Sequence, residues 1–438
     1  MSGNIEAISS GVNTITFGEN AASGTFDGDI IALTKFSSSK NEITFNGMTI
    51  GGTALGKISA DSESDNGGKN SIKLDKSSSL SNYWVDAHGE NSTNTITLAD
   101  TASKLALMRD VESGYAIHAR GKQAKNTITH TGNTASHTID GIIQANDGGG
   151  NDITLYQLTM TGDIIAEEQG TNTLTIGNTT GQSTITGNIE ANDGTNTLEL
   201  TETRLDGRVT ATANTSASNT ITLKDASTLA SGGIVAEIVQ GGGDGGGGNG
   251  GGAGGGGGGA AATATNSIPL QDTSALTLNA QDNAILAQGE GAGNTITDAT
   301  TNATTSTING NIKAQNSGTN TITIKKVTMT GDILADEGGK NTIHFGDNAQ
   351  AGTTLTGHLI ATKGQNTAKL TNATMIGSMR ALVDSSSNSL TLESSTLNDG
   401  YMAAISETEA AENTLTIDQA STMNLKGVQI LDLSLIHI

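Results

Sequence analysis

Cysteine is absent from the chain, proline occurs once, and only 10 of 438 residues are aromatic. Without cysteine there is no disulfide framework, no cysteine zinc site, no iron–sulfur cluster and no thiol catalysis. So few aromatics leave little to fill a thick core. The length would suit roughly three ordinary domains, but the 34% apolar content is low for globular ones. Basic residues are scarce too: 22 Lys and Arg stand against 44 Asp and Glu, a net charge of −22. No basic run offers a face for nucleic acid or anionic lipid, and the acidity reads as solubility. No stretch approaches 18 apolar residues, so direct membrane insertion by a helix is excluded. Met1 leads straight into repeat-like sequence with no basic and apolar leader. That leaves a cytosolic protein or an internal fragment of a larger one.

What is abundant is Thr, Asn, Ser, Gly and Ile, the residues of narrow strands and tight turns. They are arranged in repeats. An Asn-x-Ile/Leu-x anchor begins at Asn13, Asn41, Asn70, Asn94, Asn126, Asn151, Asn172, Asn196 and Asn219. It resumes at Asn266, Asn294, Asn320, Asn341, Asn366, Asn388 and Asn413, making 16 anchors. Spacings run from 21 to 32 residues, with one gap of 47. A second anchor, Gly-x-Ile-x-Ala, alternates with the first, as in GNIEA at Gly3, GDIIA at Gly28 and Gly162, and GDILA at Gly331. Longer blocks are duplicated: QLTMTGDIIAEEQGTN from Gln157 matches KVTMTGDILADEGGKN from Lys326.

Within a unit the apolar residues alternate with period two, as in Leu158, Met160, Gly162, Ile164 and Ala166. This is strand periodicity with one face inward. A unit this short cannot bury its face alone, and stacked units can. The sequence therefore predicts an all-β parallel β-helix, a β-solenoid of about 16 coils of roughly 21–32 residues. At ~4.8 Å per strand it would be a rod of roughly 75 Å. Aligned asparagines are expected to stack as an amide ladder at one corner. Internal strands cannot spare N–H donors, which suits the single proline. Residues 1–240 are read as solenoid, 241–262 as a Gly-rich flexible insertion, 263–433 as solenoid continued and 434–438 as an artefactual tail. The alternative for the Gly tract is a linker between two stacked halves.

Chemistry-bearing motifs are few. There is no GxSxG, HExxH or P-loop. His130 and His137 share a coil, as do His344 and His358; each is expected at the surface rather than as a metal pair, which would lack further ligands. Glu167-Glu168 and Asp336-Glu337 recur in equivalent turns and read as solvated charges rather than a catalytic pair. Tyr83-Trp84 occupies a degenerate copy of the second anchor and reads as core packing or capping rather than a sugar subsite; Tyr115 completes the notable aromatics. Outward pairs such as Thr14/Thr16, Thr95/Thr97 and Thr321/Thr323 raise ice binding as a minor alternative. No catalytic, cofactor-binding or metal-binding residue is assigned, and no cofactor is expected.

The NTIT…TGDIIA coils, the Asn/Thr/Gly bias and the lack of cysteine resemble autotransporter passenger domains of type V secretion. The nearest kind is the vacuolating-cytotoxin-like, repeat-rich group, over about residues 3–433. The resemblance implies a right-handed parallel β-helix at the surface of a Gram-negative bacterium, outer-membrane anchored or secreted. It implies an adhesin or structural stalk that binds without catalysis. Partners would be host cell-surface or extracellular-matrix molecules, or other bacterial cells. It also implies that the full-length protein carries a signal peptide and a C-terminal β-barrel translocator, neither of which is in this sequence. The protease motif GDSGS is absent. The last residues, Leu433 to Ile438, resemble translated sequencing-adapter read-through, so His437 is given no role. A polysaccharide-acting β-helix, lyase or hydrolase, is the second expectation and an ice-binding solenoid the third.

Overall fold

Which side chains go inward is decided by the alternation inside each repeat. In Thr171–Ile176, Asn172, Leu174 and Ile176 are buried while Thr171 and Thr173 are exposed. The chain then turns into Ser183–Thr186, bends at Gly187, runs through Ile189–Asn192 and turns again into Thr195–Thr201. Three short strands thus make one coil, and the fourth lies directly on the first. Asn172 pairs with Asn196, Leu174 with Leu198, Ile185 with Leu205, Ile189 with Val209 and Ala191 with Ala211, all in parallel. Like residues stack on like, so one narrow core of Ile, Leu, Val, Ala and Met runs along the axis.

The computed structural model describes residues 2–430 except 19–23, 35–38, 52–54, 64–66, 133–134, 231, 240–260, 299–303, 348–350 and 407–409. Among these the chain is all-β, without a helix. A 16-stranded parallel sheet, from Val12–Phe17 to Glu412–Ile417, has one strand for each Asn anchor; we call it the asparagine face. The other two strands of each coil, a middle face and an alanine face, join in one 28-stranded sheet. They join because some strands, such as Ser79–His88 and Ser306–Gln315, run unbroken through the corner between them.

The asparagines from Asn41 on are buried and Asn13 is half-buried, and each donates from Nδ2 to Oδ1 of the asparagine one coil on, from Asn13 to Asn413, at 2.8–3.0 Å. The amide's second hydrogen reaches back to the carbonyl that precedes the anchor alanine, as from Asn172 to Ile165 O and from Asn196 to Glu190 O, both 2.7 Å. The two sequence anchors are therefore halves of one corner. At the opposite corner a hydroxyl plays a similar part. Ser78, Ser183, Ser227, Ser306, Thr353 and Ser395 accept the backbone N–H of Met48, Leu158, Thr203, Leu276, Val327 and Ala373 at 3.0–3.3 Å.

The anchor glycines stack at the third corner. Gly187 has φ +154°, and a Cβ there would lie 2.0 Å from Gly162 O, so no side chain fits. The Gly-rich run falls almost entirely outside the described residues, as does the tail. The asparagine-face strands before and after the Gly-rich run belong to successive coils: Ser216–Lys224 pairs in parallel with Thr263–Leu270, and Asn219 donates to Asn266 at 2.9 Å.

Candidate functional site

On the alanine face two positions per coil point outward: the residue after the anchor glycine and the residue before the anchor alanine. In most coils these are small, charged or aliphatic, such as Asp163 and Ile165, or Asn188 and Glu190. In three successive coils they are Lys57 and Ser59, then Trp84 and Asp86, then Tyr115 and His118. Parallel register places Lys57 beside Trp84, and Ser59, Asp86 and His118 in one column.

The local backbone explains the last pair. Tyr115 pairs with Ile142 and Ile117 with Ile143, so Ala116 is an extra residue and the strand bulges. In a regular strand residues three apart face opposite sides. The bulge restores Tyr115 and His118 to the same side, where their rings stack at 4.5 Å and 15°. In addition, residues 109–114 replace the single corner glycine with a turn closed on itself. There, Asp110 N–H donates to Tyr115 O at 2.8 Å, and Gly114 N–H to Asp110 O at 2.9 Å.

Asp86 sits at the centre, 8% exposed. Its Oδ2 lies 3.4 Å from Lys57 Nζ and its Oδ1 3.3 Å from His118 Nδ1. Burial pushes its carboxyl upward, but the close approach of His118 and the Lys57 charge outweigh burial and hold it below the usual carboxylate range. Lys57 Nζ also lies 4.5 Å from the Trp84 ring centroid. Asp86 Oδ1 and His118 Nε2 are buried without an aligned hydrogen-bond partner. The patch therefore offers two half-exposed rings over a floor of ammonium, carboxylate and imidazole. Chemically it can stack on a flat C–H surface and exchange hydrogen bonds or a proton.

Tyr83 does what the sequence predicts of it. It stands opposite Gly56, whose missing Cβ makes room for the ring, and its hydroxyl donates to Gly28 O. Burial pushes its pKa up to about 12. Trp84, its neighbour, is not core but faces outward. Asp86, His118 and Lys57 were not singled out by the sequence reading. The signal was available: aligning the second anchors coil by coil puts Lys57 beside Trp84 and Ser59 beside Asp86. The bulge at Ala116 then breaks the alignment one coil later.

The surface expectation for His130 and His137 is corrected: both are buried, at 1% and 0% exposure. Their positions are core columns, His130 next to Leu98 and His137 next to Leu158. His137 Nδ1 accepts Leu105 N–H at 3.2 Å, the place taken by a hydroxyl in other coils. Its Nε2 then carries the proton and donates to His130 Nδ1 at 2.9 Å. His130 Nε2 in turn donates to Asp100 O at 2.8 Å. Burial, with the neighbouring His130 and Lys104 charges, pushes the His137 pKa down to about 3. His344 lies on the asparagine face and His358 on the alanine face, so the fold does not bring them together. Among the described residues no group of three or more His, Asp or Glu is placed to hold a metal ion.

Of the paired carboxylates, Glu168 and Glu337 are exposed, while Glu167 accepts from Gln144 Nε2 at 2.7 Å and Asp336 meets Lys313 at 3.1 Å. Adjacent acids point apart. The outward threonines of the asparagine face form two columns. Coils with threonine in both run at most two in succession, with Lys73, Asp152, Glu199, Pro269 and His344 among the interruptions. Two surface grooves, of ≈ 570 Å³ beside Glu237 and Glu290 and ≈ 290 Å³ beside Lys125 and Asp152, have no aromatic lining. The Trp84 patch is the richer chemical site. No protein-family model and no curated protein matches this chain.

Proposed function

We propose that the chain is the passenger part of a secreted or surface-displayed bacterial protein, a stalk that binds partners along its sides without catalysis. The observation that carries this reading is the single register that joins every coil through the Asn13–Asn413 ladder. Nearly all the sequence goes into length and lateral surface, which is what a stalk needs. The repeat resemblance to autotransporter passengers supports an extracellular setting, and partners on host cells, matrix or other bacteria fit that setting. The test uses the full chain, fluorescently labelled, on epithelial cells, matrix-coated plates and bacterial cells. Saturable binding that is lost when the chain is unfolded is expected. No binding across the panel would remove the reading.

A second reading, a polysaccharide-acting enzyme, draws support from Asp86 and His118 lying 3.3 Å apart beneath two aromatic rings. Its test is release of reducing ends, or loss of viscosity, from polyuronates and neutral glycans. Turnover abolished by Asp86→Asn would favour it over the stalk. Unchanged substrates would remove it.

A further inference from the structure

We infer that Trp84, Tyr115, Asp86, His118 and Lys57 form a subsite for a neutral saccharide. The inference rests on the lateral-binding reading and names the ligand class for one place on the rod. Three observations lead to it. First, Trp84 and Tyr115 are both partly exposed and stand at the same outward position of the alanine face on neighbouring coils. The C–H faces of a pyranose ring stack on aromatic side chains presented in this way. Second, His118 Nε2 is buried and lacks a hydrogen-bond partner, and Asp86 Oδ1, also buried, has only the poorly aligned His118 Nδ1 at 3.3 Å. Leaving such atoms unpaired is unfavourable. The Tyr115 ring lies flat on the imidazole, so a sugar stacked on this tyrosine is brought beside the imidazole and carboxylate, whose free atoms are one acceptor and one donor or acceptor. Third, within the patch the Lys57 ammonium faces the Asp86 carboxylate at 3.4 Å, so the floor is close to charge-neutral. The chain around it carries −22. A uronate or sulfated polymer is repelled by that field, whereas a neutral hexose or N-acetylhexosamine is not.

Trp84 is the only tryptophan of the chain, so its emission reads this site alone. Full-length protein is titrated with chitotriose, lactose and cellotriose, and in parallel with heparin and polygalacturonate. A saturable change in emission with at least one neutral oligosaccharide, and none with the polyanions, is expected. Tyr115→Ala and His118→Gln should weaken the response about tenfold or more. Tyr401→Ala, which removes the tyrosine packed under Arg380 farther along the rod, should leave it unchanged. Circular dichroism and melting of each variant guard against unfolding. Silence with all three neutral sugars overturns the inference, as does a response that survives both patch substitutions or one obtained with the polyanions alone. Cell binding separates the two levels. If cells bind the chain and Tyr115→Ala equally while the emission stays silent, this inference falls and the stalk reading survives. If the emission responds but no cell, matrix or bacterium binds, the stalk reading falls and the subsite stands.

Discussion

At the residue scale, one side-chain type does most to fix the stack. Asn196 donates to Asn219 and to Glu190 O, and accepts from Asn172, while fully buried. Asn196→Ala would leave two buried amides and a carbonyl unpaired, and the expected cost is about 3 kcal/mol. Hydrogen exchange should show it as lost protection in the coils around residue 196, with outward Thr197→Ala changing little. The buried histidines give a pH dependence whose sign follows from the direction of the shift. The folded state holds His137 well below its ordinary pKa, so the unfolded chain takes up the proton first. That stability is complete above about pH 6.5. It declines as the pH falls toward about 3, the value to which burial depresses this group. Urea melts at a series of pH values should show it, and His137→Ser, which restores the hydroxyl found at Ser183 and Ser227, should flatten the acid limb. The asparagine ladder was legible in the sequence because its spacing recurs. The histidine pair was not, because it depends on His130 closing one strand inward and His137 opening the next, and parity at strand ends is set by turn length.

At the scale of the coil, equivalence between units is the main property. Thr171 precedes Asn172 just as Thr195 precedes Asn196, and both asparagines hold the same corner. Deleting residues 172–195 joins Thr171 to Asn196 and removes one complete coil. The shortened chain is expected to fold with unchanged sheet signal and to be shorter by about one strand spacing, ~4.8 Å, in solution scattering. Loss of cooperative folding would mean that the coils are not interchangeable. Short strands with one face inward followed from the period-two alternation. The merger of two faces in Ser79–His88 did not, because it occurs where Tyr83 occupies the glycine slot and the strand turns the corner at Asn82, φ 58°, without breaking. The Trp84 patch was hidden for a related reason. Its members are far apart in sequence and meet only through register, and the bulge at Ala116 shifts that register by one.

For the whole molecule, the long anchor gap is the informative exception. Between Ala211 and Asn219 lie seven residues, and between Ala236 and Asn266 lie 29. Removing residues 240–260 takes away 21 and leaves eight, close to the seven of the coil before. The expected result is a solenoid whose thermal melt differs little from the parent, since loop length contributes weakly to stability. A collapse in melting temperature would show that the stretch has a structural role. The direction of the hydrogen bonds has a mechanical consequence. The ladders between coils, amide and backbone alike, run along the axis of the rod. A load applied through its two ends therefore pulls these bonds apart one coil at a time instead of shearing many together. A coil such as that from Asn172 to Asn196 would release 24 residues, about 80 Å of extended chain. Such a solenoid would yield in small steps under tension, a shock absorber that lengthens before it parts.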